Sequence, residues 1–186
     1  MLDLDLIAPE KPRRLKRVEY DAIVAAGVFD DERVELLEGV IVAMSPNDPP
    51  HASPVDLLNE ILTPAVVGRA RVRVQLGLIA VDESEPEPDV AVVPVGDYSR
   101  EHPASAHLVV EVADSSLRKD RLVKAPLYAR SGFREYWLVN VRAKVVEVHR
   151  GPSPDGWASI TRHGVGETLR PEAFPDVAVA VGAILR

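Results

Sequence analysis

The chain has 186 residues, of which 46% are hydrophobic, and it contains no cysteine. This length can bury one substantial core, so one main domain is expected. The lack of cysteine excludes disulfides, thiolate metal sites and a cysteine nucleophile. The formal net charge of -7 argues against a protein that coats nucleic acid nonspecifically, but it does not exclude a nuclease.

The first residues lack a basic leader with an apolar run behind it, and no apolar stretch approaches ~20 residues. Neither a signal peptide nor a membrane span is therefore expected. A cytoplasmic location is the resulting prediction.

The first part of the chain predicts a tail, a helix and a hairpin. Residues 1–16 contain proline and charge, which predicts a flexible tail, and residues 17–186 are expected to form the domain. A short helix is predicted over 17–26. Two apolar runs, 33–37 and 40–44, flank Glu38-Gly39, a sequence suited to a tight turn. This pattern predicts an N-terminal β-hairpin.

The middle of the chain predicts a helix followed by three strands. The helix is expected to begin near Ser53, with that residue as its cap and Pro54 in its first position. Residues 71–81 alternate between apolar and polar side chains, which is typical of a strand with one buried face. The runs 90–93 and 108–112 are almost entirely apolar and predict strands covered on both sides.

The last part of the chain predicts a helix over 118–131 and then further strands. These are expected at 135–141 and 145–149, with edge strands or closing segments at 157–162 and 177–185. The order of elements predicts an α/β fold with a mixed central sheet flanked by helices.

A metal site is predicted where two of the buried strands carry acids. Asp89 opens one strand and Glu111 lies near the end of the next, and prolines at 86 and 88 hold the entry to the first strand extended. If these strands are neighbours, the two carboxylates converge. Mg²⁺ prefers one or two carboxylates together with waters and phosphate oxygens, and Mn²⁺ is the alternative ion.

A lysine is expected beside these acids. Residues two apart share one face of a strand, which would place that lysine at 113, but position 113 is alanine. Lys124 is the favoured replacement because it lies on the following helix, on one stripe with Asp120 and Tyr128. Lys119 is a weaker candidate because the start of a helix is usually solvated. Asp120 and Lys124 could instead form only a surface ion pair. Glu111, however, lies within an apolar strand, and its buried charge requires a compensating partner.

Three further residues could join the site. Glu35 on the hairpin could supply another carboxylate, or could simply face solvent. His51 could orient a water or contact phosphate, or be polar surface, and Gln75 is expected to have a lesser polar role. The other histidines, at 102, 107, 149 and 163, lack the spacing of a zinc site and are expected at the surface.

At these residues the chain resembles the Uma2 family of the PD-(D/E)XK restriction endonuclease-like superfamily. The resemblance is carried by SEPEPDVAVV at 84–93, LVVEVADSS at 108–116, DRLVKAPLYA at 120–129 and GFREYWLV at 132–139. It implies a metal-dependent endonuclease that hydrolyses nucleic acid, DNA foremost.

The resemblance also implies roles for individual residues. It makes Asp89 and Glu111 metal ligands and catalytic residues, Lys124 a displaced catalytic lysine, and Glu35 and His51 accessory catalytic residues. Because this scaffold also has inactive members, a noncatalytic module that binds nucleic acid or a protein partner is the alternative. A homodimer is a further possibility, formed through an exposed strand edge at 145–148. Residues 157–162 could instead cover this edge.

Overall fold

The computed structural model describes residues 10–46 and 48–186. Residues 1–9 of the predicted tail lie outside the described residues. The strands are β1 Val34–Leu37, β2 Val40–Ala43, β3 Arg71–Val74, β4 Val90–Val93, β5 Leu108–Ala113, β6 Glu135–Asn140, β7 Val145–Ser153, β8 Gly156–Gly164, β9 Thr168–Leu169 and β10 Val179–Ala180. The helices are α1 Arg17–Ala25, α2 Pro49–Val66, α3 Leu117–Lys119, α4 Ala125–Arg130 and α5 Val181–Ile184, with a π-helical turn at Asp120–Lys124.

A six-stranded mixed sheet forms the centre of the molecule, in the order β3-β4-β5-β6-β7-β8. The β5 and β6 strands are parallel and every other neighbouring pair is antiparallel. The parallel pair requires a crossover, which α3, the π-helical turn and α4 provide. The predicted mixed α/β architecture is confirmed.

Both faces of this sheet are covered, because side chains alternate along each strand. On one face Val110 and Val112 of β5 pack in the same apolar cluster as Leu58 of α2. On the other face Val109 packs with Tyr128 of α4. The two apolar strand runs are therefore buried as predicted, and Glu111 is directed to the α4 side.

The predicted hairpin is confirmed and forms a separate two-stranded sheet of β1 and β2. Two backbone hydrogen bonds between Leu36 and Glu85, of 3.2 and 2.8 Å, join it to the main body. Gly39 in its turn has φ 73°, and a side chain there would collide with Arg14. The Leu15 N–H donates to the Gly39 carbonyl at 3.0 Å, so the chain preceding α1 lies against this turn.

The prediction for the start of α2 was wrong. The helix begins at Pro49, four residues before Ser53, and the Asp48 side chain caps it by accepting from the His51 N–H at 3.1 Å. Proline is favoured in the first helical turn because the missing N–H would have no partner there. The earlier start places His51 inside the first turn.

The predicted strand over 71–81 was too long. The β3 strand ends at Val74 because Gln75 has φ 52°, a left-handed conformation that interrupts an extended strand. The predicted closing segment at 177–185 contains β10 and α5.

The other end of the sheet is closed by β8 and by buried aromatic rings. The strand β8 covers the 145–148 edge, so β8 itself is the outer strand. His149 was expected at the surface but is only 2% exposed. Its ring lies 5.1 Å from that of Tyr136 and 5.8 Å from that of Trp157, between centroids.

The described part of the chain has no helix that is both long and apolar enough to cross a bilayer.

Candidate functional site

The two acids on the central strands face each other across neighbouring strands. The register pairs Val90 of β4 with Val110 of β5, and one step further along it places Asp89 opposite Glu111. Side chains at such opposed positions share one face, with Cβ atoms about 5 Å apart. The Val112 N–H donates to Asp89 Oδ2 at 2.7 Å, which holds this carboxylate against β5.

Lys124 reaches these acids from the helical crossover. Its ammonium lies 2.9 Å from Glu111 Oε1 and 2.8 Å from Glu35 Oε2, and the residue is only 2% exposed. The Tyr128 hydroxyl donates to the same Glu111 oxygen at 2.6 Å. Burial of ionised carboxylates is costly unless they are paired and hydrogen-bonded, and these two donors offset part of that cost at Glu111.

The π-helical turn directs Asp120 and Lys124 into the protein. The Ala125 N–H donates to the Asp120 carbonyl, one residue further back than in an α-helix, and the Tyr136 hydroxyl donates to the same carbonyl at 3.3 Å. π-Turns often occur at functional sites. Asp120 is buried and accepts a hydrogen bond from Ser116. The interpretation of Asp120 and Lys124 as a surface ion pair is therefore wrong.

Glu35 is completely buried, at 0% exposure, so the solvent-facing interpretation of this hairpin residue is also wrong. Its Oε1 lies 2.8 Å from the ammonium of Lys119, while its Oε2 faces Lys124. Lys119 is thus an ion-pair partner at the site, although its position at a helix start made it the weaker candidate.

Asp89 receives two further polar neighbours. His51 Nε2 lies 3.1 Å from Asp89 Oδ2, and since a carboxylate only accepts, the histidine donates. Gln75 Nε2 donates to Asp89 Oδ1 at 3.4 Å. Every residue predicted for the site is therefore brought into one constellation.

The charges of this constellation are strongly coupled. Burial opposes ionisation of Glu35, but the ammonium groups of Lys124 and Lys119 outweigh it and lower the pKa of Glu35. Burial likewise opposes ionisation of Asp89, yet the hydrogen bond from His51 and the Val112 N–H lower its pKa. The same hydrogen bond raises the pKa of His51.

Glu111 differs from the other two acids. Burial, aided by the charges of Asp120, Asp89 and Glu35, outweighs the attraction of Lys124 and raises the pKa of Glu111 to about 8. Burial would lower the pKa of Lys124, but Glu111 and Glu35 raise it above its ordinary value, so the lysine is an ammonium. Near neutral pH Glu111 is therefore largely protonated, while Lys124 keeps its charge.

A cleft of about 320 Å³ opens onto these groups. Its acidic lining consists of Asp48, Glu87, Asp89, Glu111, Asp114 and Asp120. Across residues 10–46 and 48–186, no three His, Asp or Glu side chains are arranged to hold a metal by themselves. Two oxygen donors beside an open cleft nevertheless suit Mg²⁺, which keeps several waters and binds through one or two carboxylates.

The mixed sheet, its flanking helices and the N-terminal hairpin define a restriction endonuclease-like fold. One solved structure with this fold is described as a putative nuclease belonging to DUF820 from Anabaena variabilis ATCC 29413. It matches with a TM-score of 0.70 and 14% identity, over 92% of this chain and 97% of that chain. The model of the Uma2 family, described as a putative restriction endonuclease, matches residues 18–182, and the chain belongs to this family. No curated protein matches the chain.

Tyr128 and Asp120 are the neighbours whose contacts sequence reasoning did not foresee. Both lie four residues from Lys124, on the stripe that was used to select the lysine. The same spacing therefore contained the signal for both residues, but it did not reveal that the stripe faces Glu111.

Proposed function

We propose that the protein is a metal-dependent endonuclease that hydrolyses phosphodiester bonds of nucleic acid, DNA foremost. The observation that supports this most strongly is the convergence of Asp89, Glu111 and Lys124 on one cleft, from two strands and a helix that are distant along the chain. The nuclease family and fold support the same reaction class.

In this proposal Asp89 and Glu111 hold Mg²⁺ or Mn²⁺. Such an ion, when bound, lowers the pKa of a water and neutralises charge on the phosphate. Once Glu111 is ionised, the buried acids Glu35, Asp89, Glu111 and Asp120 outnumber Lys119 and Lys124, and this negative charge favours a divalent ion.

The remaining residues act on the substrate or on these acids. Lys124 stabilises the negative charge that develops on the phosphate, and Glu35 fixes the position of its ammonium through the 2.8 Å contact. His51 orients the Asp89 carboxylate by donating to Oδ2. Glu35 and His51 are thus positioning residues in this scheme.

Calorimetric titration with Mn²⁺, followed by nicking of a supercoiled plasmid, tests the proposal. Asp89→Asn and Glu111→Gln should each lose metal binding and metal-dependent nicking. Glu147→Gln is the matched control, because Glu147 is also a buried acid but pairs with Arg121 and Arg162. It should retain both properties. Full activity in both cleft variants would rule out the assigned ligands.

The alternative is a noncatalytic module on the same scaffold. The burial of the Lys124 ammonium between two carboxylates favours it, because an amine held in this way donates less readily to a substrate. This alternative requires a folded protein that takes up neither Mg²⁺ nor Mn²⁺ near neutral pH. The calorimetric titration therefore separates the two functions.

A homodimer and a cytoplasmic location stay predictions. For a dimer, β8 is the strand that a second copy would meet, since it is the edge strand beside β7 and exposes Ile160. An open edge is a template for pairing with another chain. Light-scattering measurement of mass in solution tests this, and a monomer at all concentrations would contradict it.

A further inference from the structure

A second and larger cavity lies on the side of the molecule where α1 approaches the segment that leads into β4. Its volume is about 620 Å³, and its lining includes Arg17, Tyr20, Asp21, Glu85, Tyr98 and His102. Glu87 lines both this cavity and the cleft described above, so the two lie back to back. None of the cleft's proposed metal ligands lines the second cavity.

Glu85 is the unusual group in this cavity. The residue is only 8% exposed, and its carboxyl group has no hydrogen-bond donor among residues 10–46 and 48–186. Its backbone is fixed by the two hydrogen bonds to Leu36 of the hairpin. Burial raises the pKa of Glu85 to about 7, helped by the charge of Asp21. Glu85 lines the cavity, so a ligand with N–H donors could bind its carboxyl oxygens there.

The nearest charged neighbours of Glu85 are occupied elsewhere. Arg17 pairs with Asp21 at 3.0 Å and with Glu101 at 3.6 Å. Arg100 also lines the cavity, but it is exposed. No side chain of the described residues therefore supplies Glu85 with a close cation.

His102 lies beside Glu85, with its Nε2 at 3.8 Å from Glu85 Oε1, beyond hydrogen-bonding distance. The Arg73 guanidinium lies 3.0 Å from His102 Nδ1. Because a guanidinium only donates, Nδ1 accepts and Nε2 carries the proton. Burial, together with the charge of Arg73, lowers the pKa of His102 and keeps it neutral. His102 is thus a neutral donor beside the acid.

We propose that this cavity is a binding site for a ligand carrying a guanidinium group, with Glu85 as its anchoring acid. A guanidinium presents two parallel N–H donors that match a carboxylate, and its plane packs well on aromatic rings. Tyr98 lines the cavity and already packs with one guanidinium, that of Arg73, which lies 5.5 Å from its ring centroid. The acids Asp21, Glu85, Glu87 and Glu101 outnumber the cations Arg17 and Arg100, which favours a positively charged guest.

The test uses the full chain and two probes that differ only at the recognised group. Arginine amide carries the guanidinium, and citrulline amide carries a neutral urea of the same shape. In an NMR titration of backbone amides, arginine amide should shift resonances of residues that line the cavity. Citrulline amide should bind at least about tenfold more weakly, since a charge-assisted bond is lost.

Two variants test whether Glu85 is the acid that binds the guanidinium. Glu85→Gln should weaken arginine amide binding about tenfold or more, which is about 1.4 kcal/mol. Glu101→Gln, which removes an exposed acid from the same cavity, should change it less than threefold. Equal losses in both variants, equal binding of the two probes, or shifts outside the cavity would overturn the proposal.

The Glu85→Gln variant is expected to remain folded, so weaker binding can be assigned to the lost carboxylate. Replacing a buried carboxyl that lacks a donor by a neutral amide removes the cost of ionisation, so Glu85→Gln should unfold at the same temperature as the parent protein or above it. A clearly lower unfolding temperature would show that Glu85 has an internal partner, which would also overturn the proposal.

Discussion

Replacement of Lys124 by methionine should destabilise the fold strongly. The side chain is similar in length, so the main change is the loss of one positive charge between Glu35 and Glu111. At an effective dielectric constant of ~20, two opposite charges about 3 Å apart attract each other by roughly 6 kcal/mol. Much of this attraction offsets the cost of burial, and breaking a buried pair costs about 3–5 kcal/mol in practice.

Urea unfolding measures this loss. With a dependence on urea of about 2 kcal/mol per M, the midpoint should fall by about 1.5–2.5 M in Lys124→Met. Lys119→Met is the control, because Lys119 also contacts Glu35 at 2.8 Å but is partly exposed. Its loss should be about 1 kcal/mol or less. A Lys124→Met protein within 1 kcal/mol of the parent would refute the view that this ammonium neutralises the buried acids.

Three further predictions concern metal, pH and the sheet. Mn²⁺ at about 100 times its Kd should raise the free energy of unfolding by about 2.7 kcal/mol, and thermal unfolding of Asp89→Asn should show no such rise. Burial lowers the pKa of His149 to about 4, below the ~6.5 of an unfolded histidine. The unfolded chain therefore takes up the proton first, and stability falls as the pH drops below about 6.5. Between pH 7 and pH 5 this loss is about 2 kcal/mol, and urea midpoints of His149→Phe should lack it. Glu135→Ala should cost about 3 kcal/mol in the same assay, because the buried Trp137 indole N–H, the Arg150 guanidinium and the Glu172 N–H lose their acceptor; an unchanged midpoint would contradict this.

Local patterns were sufficient for much of the fold. The hairpin was visible because two apolar runs flank Glu38-Gly39, and both of these residues adopt positive φ in the turn. The central strands were visible because 90–93 and 108–112 are apolar throughout, which is typical of strands covered on both faces. The helical spacing also placed Lys124, Asp120 and Tyr128 together on one side of the helical segment, as the structure has them. These features depend on neighbours within a few residues.

The features that were missed depend on contacts between distant parts of the chain. Glu35 is buried because two lysines more than 80 residues away neutralise it. The β3 strand ends early because Gln75 turns into a left-handed conformation, with its side chain and N–H directed at Asp89. His149 is buried by rings from two other strands. No periodicity along one segment reports such partners.

The hairpin lies outside the main sheet, yet Glu35 ties it to Lys124, which belongs to the main body. Lifting the hairpin away would therefore remove Glu35 and leave the buried Lys124 ammonium without one of its two carboxylate partners. Amide deuteration over Val34–Leu37 should accordingly be as slow as in the central strands, even though β1 has only one strand beside it. This two-stranded hairpin thus forms one wall of the acidic cleft, through Val42 and Ala43 of β2, and its attachment through Glu35 keeps that wall in place.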